Sequence, residues 1–115
     1  MSRRALLACA AGLGLAACAT GVALRPSEAQ LASLRAAVPN ADVAQIEPGR
    51  QLFTSRCAMC HAAPSPLSRP PEAWPSEVAR MASRAHLDTS QADQVSLYLQ
   101  AVSQPEPGPT PRSTP

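Results

Sequence analysis

A chain of 115 residues has room for one small domain, and only Phe53, Trp74 and Tyr98 supply aromatic bulk for its core. At this size a core of alanine, leucine and valine yields only about 3–5 kcal/mol, so such domains recruit a metal, disulfides or a cofactor. All ten basic residues are arginine, and beyond Ala17 eight arginines face eight acids. That balance excludes the clustered positive charge that nucleic acid binding requires, and it predicts weak electrostatic steering toward partners.

In chain order, "MSRRALLACAAGLGLAACAT" has a basic start, an apolar stretch from Ala5 to Ala17 and small residues before a cysteine, the anatomy of an export signal. The apolar run is 13 residues, whereas a spanning helix needs roughly 20. Leu15-Ala16-Ala17-Cys18 resembles the lipobox of bacterial lipoproteins, in which the cysteine is acylated and becomes the new N-terminus. Leu6-Leu7-Ala8-Cys9 fits the same short pattern but leaves almost no apolar core after Arg4. The resemblance implies that residues 1–17 are a signal peptide, that Cys18 carries the lipid, and that the chain is anchored to a membrane facing the periplasm. Ala19 in place of aspartate favours the outer membrane. The alternative is an ordinary secretory signal, with Cys18 lost or left free. Either way Cys57 and Cys60 lie in an oxidising compartment.

Residues 18–26 read as a tether. "SEAQLASLRAAVP" predicts a helix with Ser27 as cap, Gln30 reaching back, Leu31, Leu34 and Val38 on one face and Pro39 as the stop. "PGRQLFTSRC" predicts a second helix that begins at Pro48 and runs into Cys57. The proline-rich "AAPSPLSRPPEA" predicts an extended loop. "WPSEVARMASRAH" resumes helix, with Trp74, Val78, Met81 and Ala85 on one stripe. Asp88 caps a last helix with Gln91 at the box position, and Ala92, Val95, Leu99 and Val102 line one face with Tyr98 beside them. No alternating strand pattern occurs. The expectation is an all-α domain over 27–103, followed by a proline-rich disordered tail over 104–115.

"CAMCHAAP" places Cys57 and Cys60 three apart with His61 immediately after. A C-x-x-C of this kind is a redox disulfide, half of a zinc site or the two arms of a covalent haem linkage. A redox site would sit at the start of a helix near a βαβ unit, where the dipole lowers the thiol pKa; here the motif ends a helix. Zinc would need spaced histidines or a second cysteine pair, and His61 is adjacent to Cys60. Covalent haem accounts for all three residues: cysteines at i and i+3 face one porphyrin edge as thioethers, and His61 reaches the iron. It also supplies the core material that the chain lacks.

"GRQLFTSRCAMCH" and "DTSQADQVSLYLQAV" are similar to the N-terminal haem-motif helix and the C-terminal helix of bacterial monohaem c-type cytochromes, over about Glu47 to Val102. The resemblance implies a small cytochrome c-like helical domain wrapped around one covalent haem c, in which the two helices cross with Gly49 and Phe53 against Tyr98. The helix over 27–38 lies outside it.

The second face of the iron distinguishes a carrier from a binder. Met81 follows His61 by 20 residues, and a twelve-residue loop reaches about 40 Å at ~3.3 Å per residue. The "W…M…YL" arrangement resembles a subgroup of small cytochromes whose tryptophan-bearing helix presents the distal methionine, which implies Met81 as sixth ligand. His86 is the rival, and its ligation would lower the potential relative to methionine. Met59, between the cysteines, is expected to pack. A six-coordinate iron predicts a non-enzymatic carrier of single electrons between redox protein partners such as a dehydrogenase or oxidase. A haem protein that binds or senses gas, with an open sixth position, is the alternative.

Overall fold

The structure is a computed structural model and describes residues 24–59 and 61–108. The leader with Cys18, the motif residue Cys60 and the tail from 109 lie outside the described residues. Among the described residues every regular element is helical, as the all-α expectation requires: α1 (Glu28–Ala37), α2 (Ile46–Leu52), α3 (Trp74–Met81) and α4 (Thr89–Val102). No helix among them is long and apolar enough to cross a membrane.

Both capping boxes form. Ser27 Oγ accepts from the Gln30 amide while Gln30 Oε1 accepts from the Ser27 amide, and Asp88 and Gln91 make the same reciprocal pair. Helix α4 is the hub, with the other three packed around it. Val95, Tyr98, Leu99, Ala101 and Val102 are therefore buried around most of its circumference, joined by Leu34, Ile46, Phe53, Trp74 and Val78.

Three expected boundaries shift, one of them at α3, which ends at Met81 rather than running on to His86. Helix α2 starts at Ile46 rather than Pro48, because Asp42 Oδ1 accepts from the Ala44 amide and nucleates a 3-10 turn, Val43–Gln45, that runs straight into it. Pro48 remains in the first turn, where its missing N–H costs no intrahelical bond. The proline-rich loop is not wholly extended. It holds two 3-10 turns, Pro66–Ser68 and Pro71–Ala73, each opened by a proline whose fixed φ suits the first turn.

Helix α1, outside the cytochrome resemblance, has a structural role through one side chain. Buried Gln30 donates from Nε2 to the carbonyls of Val102 (3.1 Å) and Gln104 (2.8 Å), so it caps α4 while its Oε1 caps α1. The ordered chain thus includes Gln104, which the sequence places in the tail. Gln30→Ala leaves those two carbonyls buried without a partner and is expected to cost about 2 kcal/mol, measured as a lowered urea midpoint at unchanged m-value.

The end of the tether is also fastened. The Tyr98 hydroxyl donates to Leu24 O at 2.8 Å, and Arg25 pairs with Glu47 at 3.0 Å. Burial pushes the Tyr98 phenol up to about 12, so it stays a donor. Arg50 grips Glu47 through Nε at 2.9 Å and Nη2 at 2.6 Å. That grip, with help from Gln51 and Arg25 against a desolvation cost, holds the Glu47 carboxyl at about 2 instead of about 4.5. A carboxylate with a depressed folded pKa adds stability above its unfolded pKa, and loses it as pH falls through the folded one. The stability gap between wild type and Glu47→Gln is therefore expected to be full above about pH 5 and to close near pH 2, as read by urea titrations across that window.

Candidate functional site

The last turn of the motif helix widens. Beyond Leu52 the chain continues from Phe53 to Cys57 as a π turn. Thr54 Oγ1 donates to the carbonyls of Arg50 (3.1 Å) and Gln51 (2.9 Å), and Ser55 Oγ to that of Gln51 (2.8 Å). Hydroxyls bonded back onto carbonyls of the preceding turn loosen the i→i−4 ladder, and π turns of this kind concentrate at functional sites. Cys57 sits on the final residue of the turn, half-buried, and the Met59 amide closes on Arg56 O as the chain departs.

Past that helix end lies a cavity of about 270 Å³. Its wall is apolar, formed by Phe53, Val78, Val95 and Leu99 with Trp74, Ala85 and Leu87. The indole of Trp74, 1 % exposed, donates Nε1–H to Pro66 O at 3.2 Å, which fastens the proline-rich loop to α3. Cys57 and His61 enter the lining from the motif, and Met81 from the end of α3. The stripe of Trp74, Val78, Met81 and Ala85 faces this one space, as its spacing predicts.

His61 lies 2.8 Å through Nδ1 from Ala62 O. A carbonyl only accepts, so the ring proton sits on Nδ1 and the Nε2 lone pair is left for a metal, the usual arrangement in histidine ligation. Burial pushes the Cys57 thiol above its ordinary value. That is opposite to the depressed pKa of redox-active and nucleophilic cysteines. Among the described residues no group of three or more His, Cys, Asp or Glu side chains is placed to hold a metal ion. The lining thus brings one thiol, one imidazole and one thioether together against an apolar wall.

The two rivals separate in space. His86 does not line the cavity; its side chain is exposed and its backbone is left-handed, with φ 54°. The reason is a Schellman ending: the Leu87 amide donates to Ala82 O at 2.9 Å and the His86 amide to Ser83 O at 3.2 Å, so His86 occupies the position usually given to glycine. The sequence expectation for Met59 is corrected: at 65 % exposure it stands on the surface and is not part of the core. Sequence reasoning also missed Arg56 and Arg84, which reach the cavity lining; their charge offered no signal, because arginines are spread through the chain. Compared with family models, curated proteins and solved structures, the chain matches none of them.

Proposed function

We propose that this chain is a monohaem c-type cytochrome that carries single electrons between redox partners outside the cytoplasm. One observation carries the reading: Cys57 and His61 of the motif and Met81, twenty residues beyond His61, line a single apolar cavity at the end of the motif helix. The donor set fits the cofactor. Cys57, with Cys60 three residues on, would add each S–H across one vinyl group, the sulfur bonding one carbon and the proton going to the other. His61 would hold the iron through Nε2 and Met81 through its sulfur. Once bound, haem cycles between ferric and ferrous states, and this is the only chemistry the protein needs. Phe53, Trp74 and Leu99 would exclude water and help set the potential. The cavity's volume of about 270 Å³ lies just below the about 300–1,000 Å³ of cofactor pockets. The exposed segment around His61 and Ala62 would therefore move outward to admit the ring.

With His61 and Met81 both engaged by the iron, no position would be left for a substrate, and the protein would act as a carrier rather than an enzyme. Acylation of Cys18 would hold it at a membrane surface, the outer membrane favoured, within reach of a dehydrogenase or oxidase. The deciding experiment is intact-mass analysis of the full chain expressed with a haem-maturation system. A mass increase of one haem, abolished in Cys57→Ala/Cys60→Ala, is expected; an apo mass in wild type would refute the proposal.

A further inference from the structure

One acid, Glu77, borders the otherwise mostly apolar cavity. It sits in α3 four residues before Met81, and residues at that spacing are surface neighbours, about 5–6 Å apart at Cβ. Its side chain is only 20 % exposed, and both of its oxygens are held. Oε2 accepts from Arg80 Nη2 at 2.7 Å, and Oε1 lies 3.5 Å from Arg69 Nη2. Neither of these arginines lines the cavity. The negative charge therefore borders the cofactor space, whereas the charges that pair with it stand outside. Two guanidinium residues share the lining, but Arg56 gives its charge to His86 O at 3.3 Å in an exposed bond and Arg84 is exposed. Water and salt screen exposed charges more than partly buried ones.

We infer that Glu77 sets the redox potential of the site: its carboxylate favours the ferric state and lowers the potential below the value that His61 and Met81 alone would give. This rests on the haem reading and deepens it by naming a residue that tunes the bound group. Oxidation leaves one more positive charge at the iron than reduction does. A fixed negative charge beside a low-dielectric cavity stabilises the oxidised form selectively, because Coulomb energies grow as the surroundings become less polarisable. The Met81 thioether acts in the opposite sense by favouring ferrous iron. The same ion pairs also tie the proline-rich loop, through Arg69, to α3. A charge role and a tie are separable, since only the first depends on the sign of what is removed.

The test is a spectroelectrochemical titration of the haem-loaded full chain in neutral detergent. Glu77→Gln should raise the ferrous-to-ferric ratio at a fixed electrode potential about three- to tenfold, a rise in midpoint of about 30–60 mV. Arg69→Gln/Arg80→Gln breaks the same ion pairs but leaves the carboxylate uncompensated, and should lower the midpoint. A tie that is merely structural, once broken, admits the same water to the cavity in both variants and moves both midpoints the same way. Glu28→Gln, exposed in the first turn of α1, changes net charge as Glu77→Gln does and should leave the midpoint nearly unchanged. Shifts of one sign in the glutamate and arginine variants, or equal shifts in Glu77→Gln and Glu28→Gln, would overturn the inference. Should Glu77→Gln fail to retain haem, Arg69→Lys/Arg80→Lys takes its place, because it keeps both charges while removing the guanidinium forks. Its midpoint should stay at the wild-type value while the glutamine pair falls, and an equal fall in both would overturn the inference. A wild-type chain without the haem mass increase fails the haem reading itself, whereas a loaded chain whose midpoint ignores Glu77 fails only this one.

Discussion

Met81→Ala is expected to abolish the far-red charge-transfer band that reports methionine sulfur on ferric iron, and to open the reduced protein to rapid carbon monoxide binding. The potential should fall by a sizeable part of the about 0.8 V that axial ligands span, because a soft thioether favours ferrous iron and its loss removes that preference. The companion variant is His86→Gly. His86 is outside the cavity and in a left-handed conformation, which costs a residue with a Cβ roughly 1 kcal/mol. Glycine removes that cost but adds unfolded-state entropy of similar size. Band and potential should therefore survive His86→Gly, with stability unchanged or raised by up to about 1 kcal/mol. A wild type that lacks the band, and whose reduced form binds carbon monoxide rapidly in His86→Gly but not in Met81→Ala, would exchange the two assignments. A wild type that lacks the band and already binds carbon monoxide rapidly would show an iron with an open sixth position, the signature of a gas-binding protein.

Gly49→Ala should be the most damaging single substitution in the helical core. A Cβ at Gly49 would collide with the carbonyl oxygen of Gln94 and sit 3.0 Å from Tyr98 Cβ. The obstacle is backbone on α4, not a side chain that can swing aside, so the two helices must separate. Separation would also pull apart Phe53 and Tyr98, whose rings stack at 5.6 Å between centroids, tilted by 47°. Overpacking of this kind is expected to cost about 3 kcal/mol, comparable with the whole stability of a core this small. In the apo chain the helical circular dichroism should be largely lost. In the haem-loaded chain Tm should drop by more than about 10 °C. A Tm within a degree or two of wild type would show that the crossing is looser than its geometry indicates.

Local chemistry was readable from the sequence because its partners lie close along the chain. Ser27 with Gln30 and Asp88 with Gln91 meet across three residues, so their helix starts follow from side-chain type and spacing alone. The stripe of Trp74, Val78, Met81 and Ala85 follows from helical periodicity, and the motif at Cys57 and His61 from adjacency. The leader and Cys18 are read from sequence only. What the tertiary structure decided depends on partners far along the chain, or on competition among backbone hydrogen bonds that spacing does not encode. Gln30 reaches carbonyls 72 and 74 residues away, so its second role and the ordered Gln104 had no local signature. The π turn at Cys57 arises because two hydroxyls take carbonyls that the helix would otherwise use, and helical periodicity does not distinguish α from π over so few residues. The separation of Met81 from His86 required a Schellman turn ending on a residue that is not glycine.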